Sequence, residues 1–85
     1  MTNFTACFHT ILGDVTLNRL TEECRTMVGV EPCNIEHHDD ITNFTLTTQV
    51  NEDETTAEDF FNEVCGDLSR WLGTPVFLDE IFVDD

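Results

Sequence analysis

Cysteine, histidine and carboxylate are the residues of this chain whose chemistry reaches beyond packing. Cys33-x3-His37-His38 and Cys7-x-His9 carry donors that a zinc ion accepts when two such halves meet across strands. No Cys-x2-Cys pair accompanies them, so no metal is expected. A cysteine nucleophile beside His9 or His37 would need positive surroundings to lower its thiol pKa. With eighteen acids against three arginines and no lysine, the chain supplies the opposite. Carboxylates are too numerous for any one pair to mark an acid–base dyad, and four scattered glycines make no phosphate-cradling loop. The expectation is a protein that is not an enzyme and holds no cofactor.

The carboxylates carry the question of function. VNEDETTAEDFFNE, residues 50–63, places Glu52, Asp53, Glu54, Glu58, Asp59 and Glu63 together with no base among them. The formal net charge is −15, divided as −2 over residues 1–35 and −13 over residues 36–85. Such a field repels DNA, RNA and anionic membranes and attracts basic protein surfaces. A spacing of four joins Glu54 to Glu58, and Asp59 to Glu63 and Asp67, which sets both groups along one exposed helix side. Four residues of helix rise by about 6 Å, near the separation of successive phosphates. Each like-charge pair costs roughly 0.2–0.5 kcal/mol. The helix dipole excuses Glu58 and Asp59 in the first turn, and it does not reach Glu63 or Asp67. Asp39 and Asp40 in EHHDD, and Asp79, Glu80, Asp84 and Asp85 at the tail, extend the same bias. EHHDD itself, with His37 and His38, reads as an exposed hairpin between the second and third strands.

The elements that position these groups follow from periodicity. TNFT occurs at 2–5 and again at 42–45, and each copy opens an alternating strand, a helical stretch ending in glycine, and a proline-led second strand. The chain therefore reads as one domain, 1–85, written as two β-α-β units of about 1–40 and 41–85. Strands are expected near 3–12, 31–37, 42–50 and 75–83, with helices near 15–28 and 56–72. Phe4, Ala6 and Phe8 share one strand face, as do Phe44, Leu46, Thr48 and Val50. Leu17, Leu20, Cys24, Met27 and Val28 form the apolar stripe of the first helix. Phe60, Phe61, Val64, Cys65, Leu68, Trp71 and Leu72 form that of the second. Thr55-x-x-Glu58 has the spacing of a capping box, Gly29 and Gly73 stand at the helix ends, and Pro32 and Pro75 impose extended chain. Cys24 and Cys65 lie inside the stripes and are expected to be buried, unpaired thiols.

This order resembles the ferredoxin-like split β-α-β arrangement: an α+β fold, βαββαβ, with a four-stranded antiparallel sheet of order 4-1-3-2 and both helices on one face. Such a fold hosts many functions and selects none. The start, MTNFTACF, lacks a basic segment followed by an apolar one, and no apolar run is long enough to span a membrane. Asn3 and Asn43 read as strand starts rather than glycan acceptors, and a reducing cytoplasm is expected.

In size, charge and lack of motifs the chain resembles the small acidic nucleic-acid mimics that viruses make against anti-phage defence, the anti-CRISPR and anti-restriction inhibitors. That resemblance implies a host-cytoplasmic, non-enzymatic inhibitor. Its carboxylates would occupy the basic surface of a nucleic-acid-binding complex of the Cas or restriction type and exclude DNA or RNA. The alternative is a small regulatory or ligand-binding ferredoxin-like module from a halophilic source, its acidity a matter of habitat. An open sheet face also leaves room for a homodimer.

Overall fold

A computed structural model describes residues 2–25 and 29–84. The elements run β1 (Thr2–Thr10), α1 (Leu17–Cys24), β2 (Glu31–His38), β3 (Ile41–Val50), α2 (Ala57–Leu72) and β4 (Val76–Asp84). The four strands form one antiparallel sheet of order β2-β3-β1-β4, which counted from the β4 edge is four-one-three-two. The architecture is α+β.

Strict alternation decides which face is covered. Phe4, Ala6, Phe8 and Thr10 of β1 are buried, and so are Thr42, Phe44, Leu46, Thr48 and Val50 of β3. These residues pair directly across the sheet: Phe8 faces Phe44 and Ala6 faces Leu46. Leu20 and Cys24 of α1 and Phe61, Val64, Leu68 and Leu72 of α2 complete the same cluster, so both helices cover one face. Phe8 stacks on Phe44 at 5.4 Å between ring centres and meets Phe61 edge-on at 6.0 Å. Between the helices, the Arg19 guanidinium lies 5.1 Å above the Trp71 ring. The opposite face of the sheet is open.

Several boundaries differ from the periodic reading. α1 begins at Leu17 rather than 15, because the Thr16 side-chain oxygen accepts the Arg19 N–H and Val15 is buried in the preceding loop. Leu17, assigned to the apolar stripe, is exposed. Met27 and Val28, the expected end of that helix, lie outside the described residues. β1 ends at Thr10, whose hydroxyl donates to the Pro75 carbonyl. The expected cap pair Thr55/Glu58 is displaced by one: Thr56 has extended backbone and accepts the Asp59 N–H. Gly73 closes α2 in the left-handed region, as its position predicts.

Two bulges, unforeseen from the sequence, re-aim side chains. Cys33 is the extra residue where β2 pairs with β3, and Asp79 is the extra residue where β4 pairs with β1. The β2–β3 turn is confined to Asp39 and Asp40, with Asp39 at φ 55°. Gly13 packs beneath it, where a Cβ would meet the Asp39 carbonyl oxygen at 2.6 Å.

Candidate protein-binding surface

The acidic stretch is shaped first by a turn. The Asn51 carbonyl accepts the N–H groups of Glu54 and Thr55, and its side-chain oxygen accepts the N–H of Asp53. Glu52, Asp53 and Glu54 are thus displayed on a hydrogen-bonded loop ahead of the helix, not along the helix. This corrects the periodic reading of Glu54, because extended Thr56 interrupts the four-residue spacing before Glu58.

Beyond the cap, α2 turns its apolar residues to the sheet and its carboxylates to water. Glu58, Asp59, Glu63 and Asp67 are all exposed. Glu58 and Asp59 lie in the first turn, where they favour the positive end of the helix dipole. Asp67 is not unneutralised as expected, since it accepts a short hydrogen bond from the Arg70 guanidinium one turn on. Among the described residues, Glu52, Asp53, Glu54, Glu58, Asp59 and Glu63 have no ion pair. They form a continuous run from the loop along the outer side of α2.

Asp39, Asp40, Asp79 and Glu80 are exposed too, but the fold separates them from that run. Asp39 and Asp40 sit at the β2–β3 tip, the end of the sheet opposite the 51–56 loop. Asp79 and Glu80 lie on the open face of the sheet, apart from the carboxylates of α2. Glu80 pairs with Cys7, and Asp79 receives the His9 Nδ1–H with both carboxylate oxygens at 2.8 Å. These carboxylates therefore make one continuous display of six, with Asp67 at its end, and two separate pairs, Asp39 with Asp40 and Asp79 with Glu80.

The cysteine and histidine residues do not converge. Cys33 is exposed at its bulge, and His37 is turned to the helix side, where Nε2–H donates to the Val15 carbonyl at 2.6 Å. His38 faces the other way, beside Glu36 at 3.5 Å, and His9 belongs to Asp79 and stacks on Phe77 at 4.9 Å. Among the described residues no cluster of three metal-ligating side chains is present. All four cysteines are free thiols; Cys24 is buried and Cys65 only partly so. Burial, and then the nearby Glu23 charge, pushes the Cys24 thiol up to about 11. Burial with Asp79 does the same for Cys65, again to about 11. Thiols held that high are not poised nucleophiles. No helix among the described residues is long and apolar enough to cross a membrane.

Comparison with known proteins finds no matching family model, no matching characterised protein and no matching solved structure.

Proposed function

We propose that this chain is a non-enzymatic inhibitor that binds a basic, nucleic-acid-binding surface of a host defence complex and keeps DNA or RNA out. The observation that carries this reading is the run of six exposed carboxylates without ion pairs, from Glu52 to Glu63, on a hydrogen-bonded loop and a capped helix. A rigid scaffold loses little conformational freedom on docking, so its charges can be spent on contacts rather than on ordering. The three arginines leave that run unopposed: Arg19 lies over Trp71, Arg70 holds Asp67, and Arg25 follows α1. The order β-α-β-β-α-β with both helices on one side supports a ferredoxin-like scaffold for this display. The setting is the cytoplasm of an infected cell, and the partner is a complex of the Cas or restriction type.

Displacement of labelled duplex DNA or guide RNA from a panel of such complexes tests the proposal. The protein should compete with nucleic acid, and its inhibition should weaken steeply with salt as screening shortens the reach of the acidic field. Failure to displace nucleic acid from any member at low ionic strength removes the reading.

One observation favours a second reading. Carboxylates occupy the hairpin tip and the open sheet face as well as α2, as general acidification for a salty habitat would place them. In that case the chain is a small regulatory or ligand-binding module of a halophile, and it should unfold in low salt. An inhibitor with a charge display should remain folded there.

A further inference from the structure

The open face of the sheet carries a feature separate from the α2 display. Cross-strand pairing sets two rows of side chains side by side: Glu36–Asn43–His9–Phe77, and Asn34–Thr45–Cys7–Glu80. Short side chains meet where the rows cross the middle of the sheet, Cys7 on β1 and Asn43 and Thr45 on β3, with His9 beside them on β1. Glu36 stands on the β2 edge and Phe77 and Glu80 on the β4 edge, and the bulge on β4 adds Asp79 between the rows. The result is a depression of about 270 Å³ lined by Cys7, Asn34, Glu36, Asn43, Thr45 and Asp79, with the chain at Phe8 and Phe44 beneath it.

We infer that this depression is a binding site for an arginine side chain presented by a basic partner, held between the carboxylates of Glu36 and Asp79. Charge complementarity names the ligand. Both end walls are anionic, the lining between them offers amide, hydroxyl and thiol groups, and no arginine of the chain lies on this face. Glu36 and Asp79 belong to opposite edge strands, three strand spacings or about 14 Å apart at the backbone. A planar guanidinium, with five donors in a fork, can address carboxylate and amide oxygens on more than one side. A compact ammonium reaches one wall at a time. Asp79 is already oriented by the His9 Nδ1–H, and His9 is in turn stacked on the exposed Phe77 ring. The Cys7 thiol on the floor is raised by burial, then by the charges of Glu80 and Asp79, and so stays neutral beneath the incoming cation.

This site does not depend on the α2 reading, and its test keeps the two apart. N-acetyl-arginine amide and N-acetyl-lysine amide, each carrying one positive charge, are titrated into the ¹⁵N-labelled protein. The arginine probe should saturate with amide shifts centred on Cys7, Asn34, Asn43, Thr45 and Asp79, and should bind several-fold tighter than the lysine probe. Glu36→Gln with Asp79→Asn should weaken it by about tenfold or more. Thr45→Leu should also weaken it, by filling the depression with every carboxylate still in place. Neutralising Glu58, Asp59 and Glu63 should leave it unchanged. The inference is overturned if shifts scatter over the acidic positions or centre on α2. It is equally overturned if the two probes bind alike, or if the Glu36→Gln/Asp79→Asn or Thr45→Leu variant keeps both the parent's spectral dispersion and its affinity.

Discussion

The side-chain oxygen of Thr56 accepts the backbone N–H of Asp59 at 3.1 Å, and this one bond decides where the acidic loop stops and α2 starts. Thr56→Ala should therefore cost about 1 kcal/mol of stability, as loss of a helix N-cap does. Thr55→Ala, one residue earlier, should change stability by no more than about 0.5 kcal/mol. Urea denaturation of the two variants compares them directly.

The same cap divides the helix carboxylates into two kinds. Glu58 and Asp59 sit in the first turn, and Glu63 lies beyond it. Asp59→Asn should cost roughly 0.3–1 kcal/mol at low ionic strength through the helix dipole. Glu63→Gln should be neutral or stabilising by a few tenths, as a like-charge neighbour four residues from Asp59 is removed. Thermal melts at low and high salt should show both effects shrink as salt rises.

Cys24 and Cys65 make stability fall at alkaline pH. Their thiols ionise near 11 in the folded chain against an ordinary 9.0. Below about pH 9 both are protonated whether folded or not, and their contribution is fully present. Between about 9 and 11 the unfolded chain releases its thiol protons first, so stability is lost as pH rises. The chain has no lysine and no tyrosine to obscure this window. Urea midpoints should drop between about pH 8 and about pH 10, and drop less in a Cys24→Val variant.

Gly13 is required by space rather than by backbone angle. A Cβ there would meet the Asp39 carbonyl oxygen at 2.6 Å, a backbone atom that cannot swing aside. Gly13→Ala should cost about 1–3 kcal/mol and disturb the Asp39–Asp40 turn. Amide exchange at the β2–β3 tip should quicken in that variant and stay unchanged at the far end of β3.

The inner face of the sheet was legible because Phe4, Ala6, Phe8 and Phe44, Leu46, Thr48, Val50 alternate without interruption, and period two has only one reading. The α2 stripe was legible for the same reason at period 3.6. The acidic site was legible in composition and not in arrangement. Thr55 and Thr56 are each followed three residues later by an acid, so pattern alone cannot select the cap, and the choice decides whether Glu54 is helical. Neither bulge has a glycine; Pro32, just before the β2 bulge, marks an edge strand or a bulge without choosing between them, and the β4 bulge has no local marker. The placement of Asp79 on the open face beside His9, and the depression it walls, comes from strand pairing seventy residues apart. The Asp67–Arg70 pair was available as an i, i+3 spacing, and it takes Asp67 out of the unopposed set.

The central claim is that the six carboxylates from Glu52 to Glu63 bind a basic surface in place of nucleic acid, and neutralising them without changing their shape tests it most directly. The variant Glu52→Gln, Asp53→Asn, Glu54→Gln, Glu58→Gln, Asp59→Asn, Glu63→Gln is compared with the parent for displacement of labelled nucleic acid from the target complex at fixed salt. A control variant neutralises Asp14, Glu22, Glu23 and Glu31 instead. Each lost ionic contact to a desolvated arginine or lysine removes roughly 1.5–3 kcal/mol, so the first variant should lose inhibition by several orders of magnitude. The control should lose far less. Equal inhibition by the parent and a folded six-fold variant would contradict the account and leave the acidity to habitat.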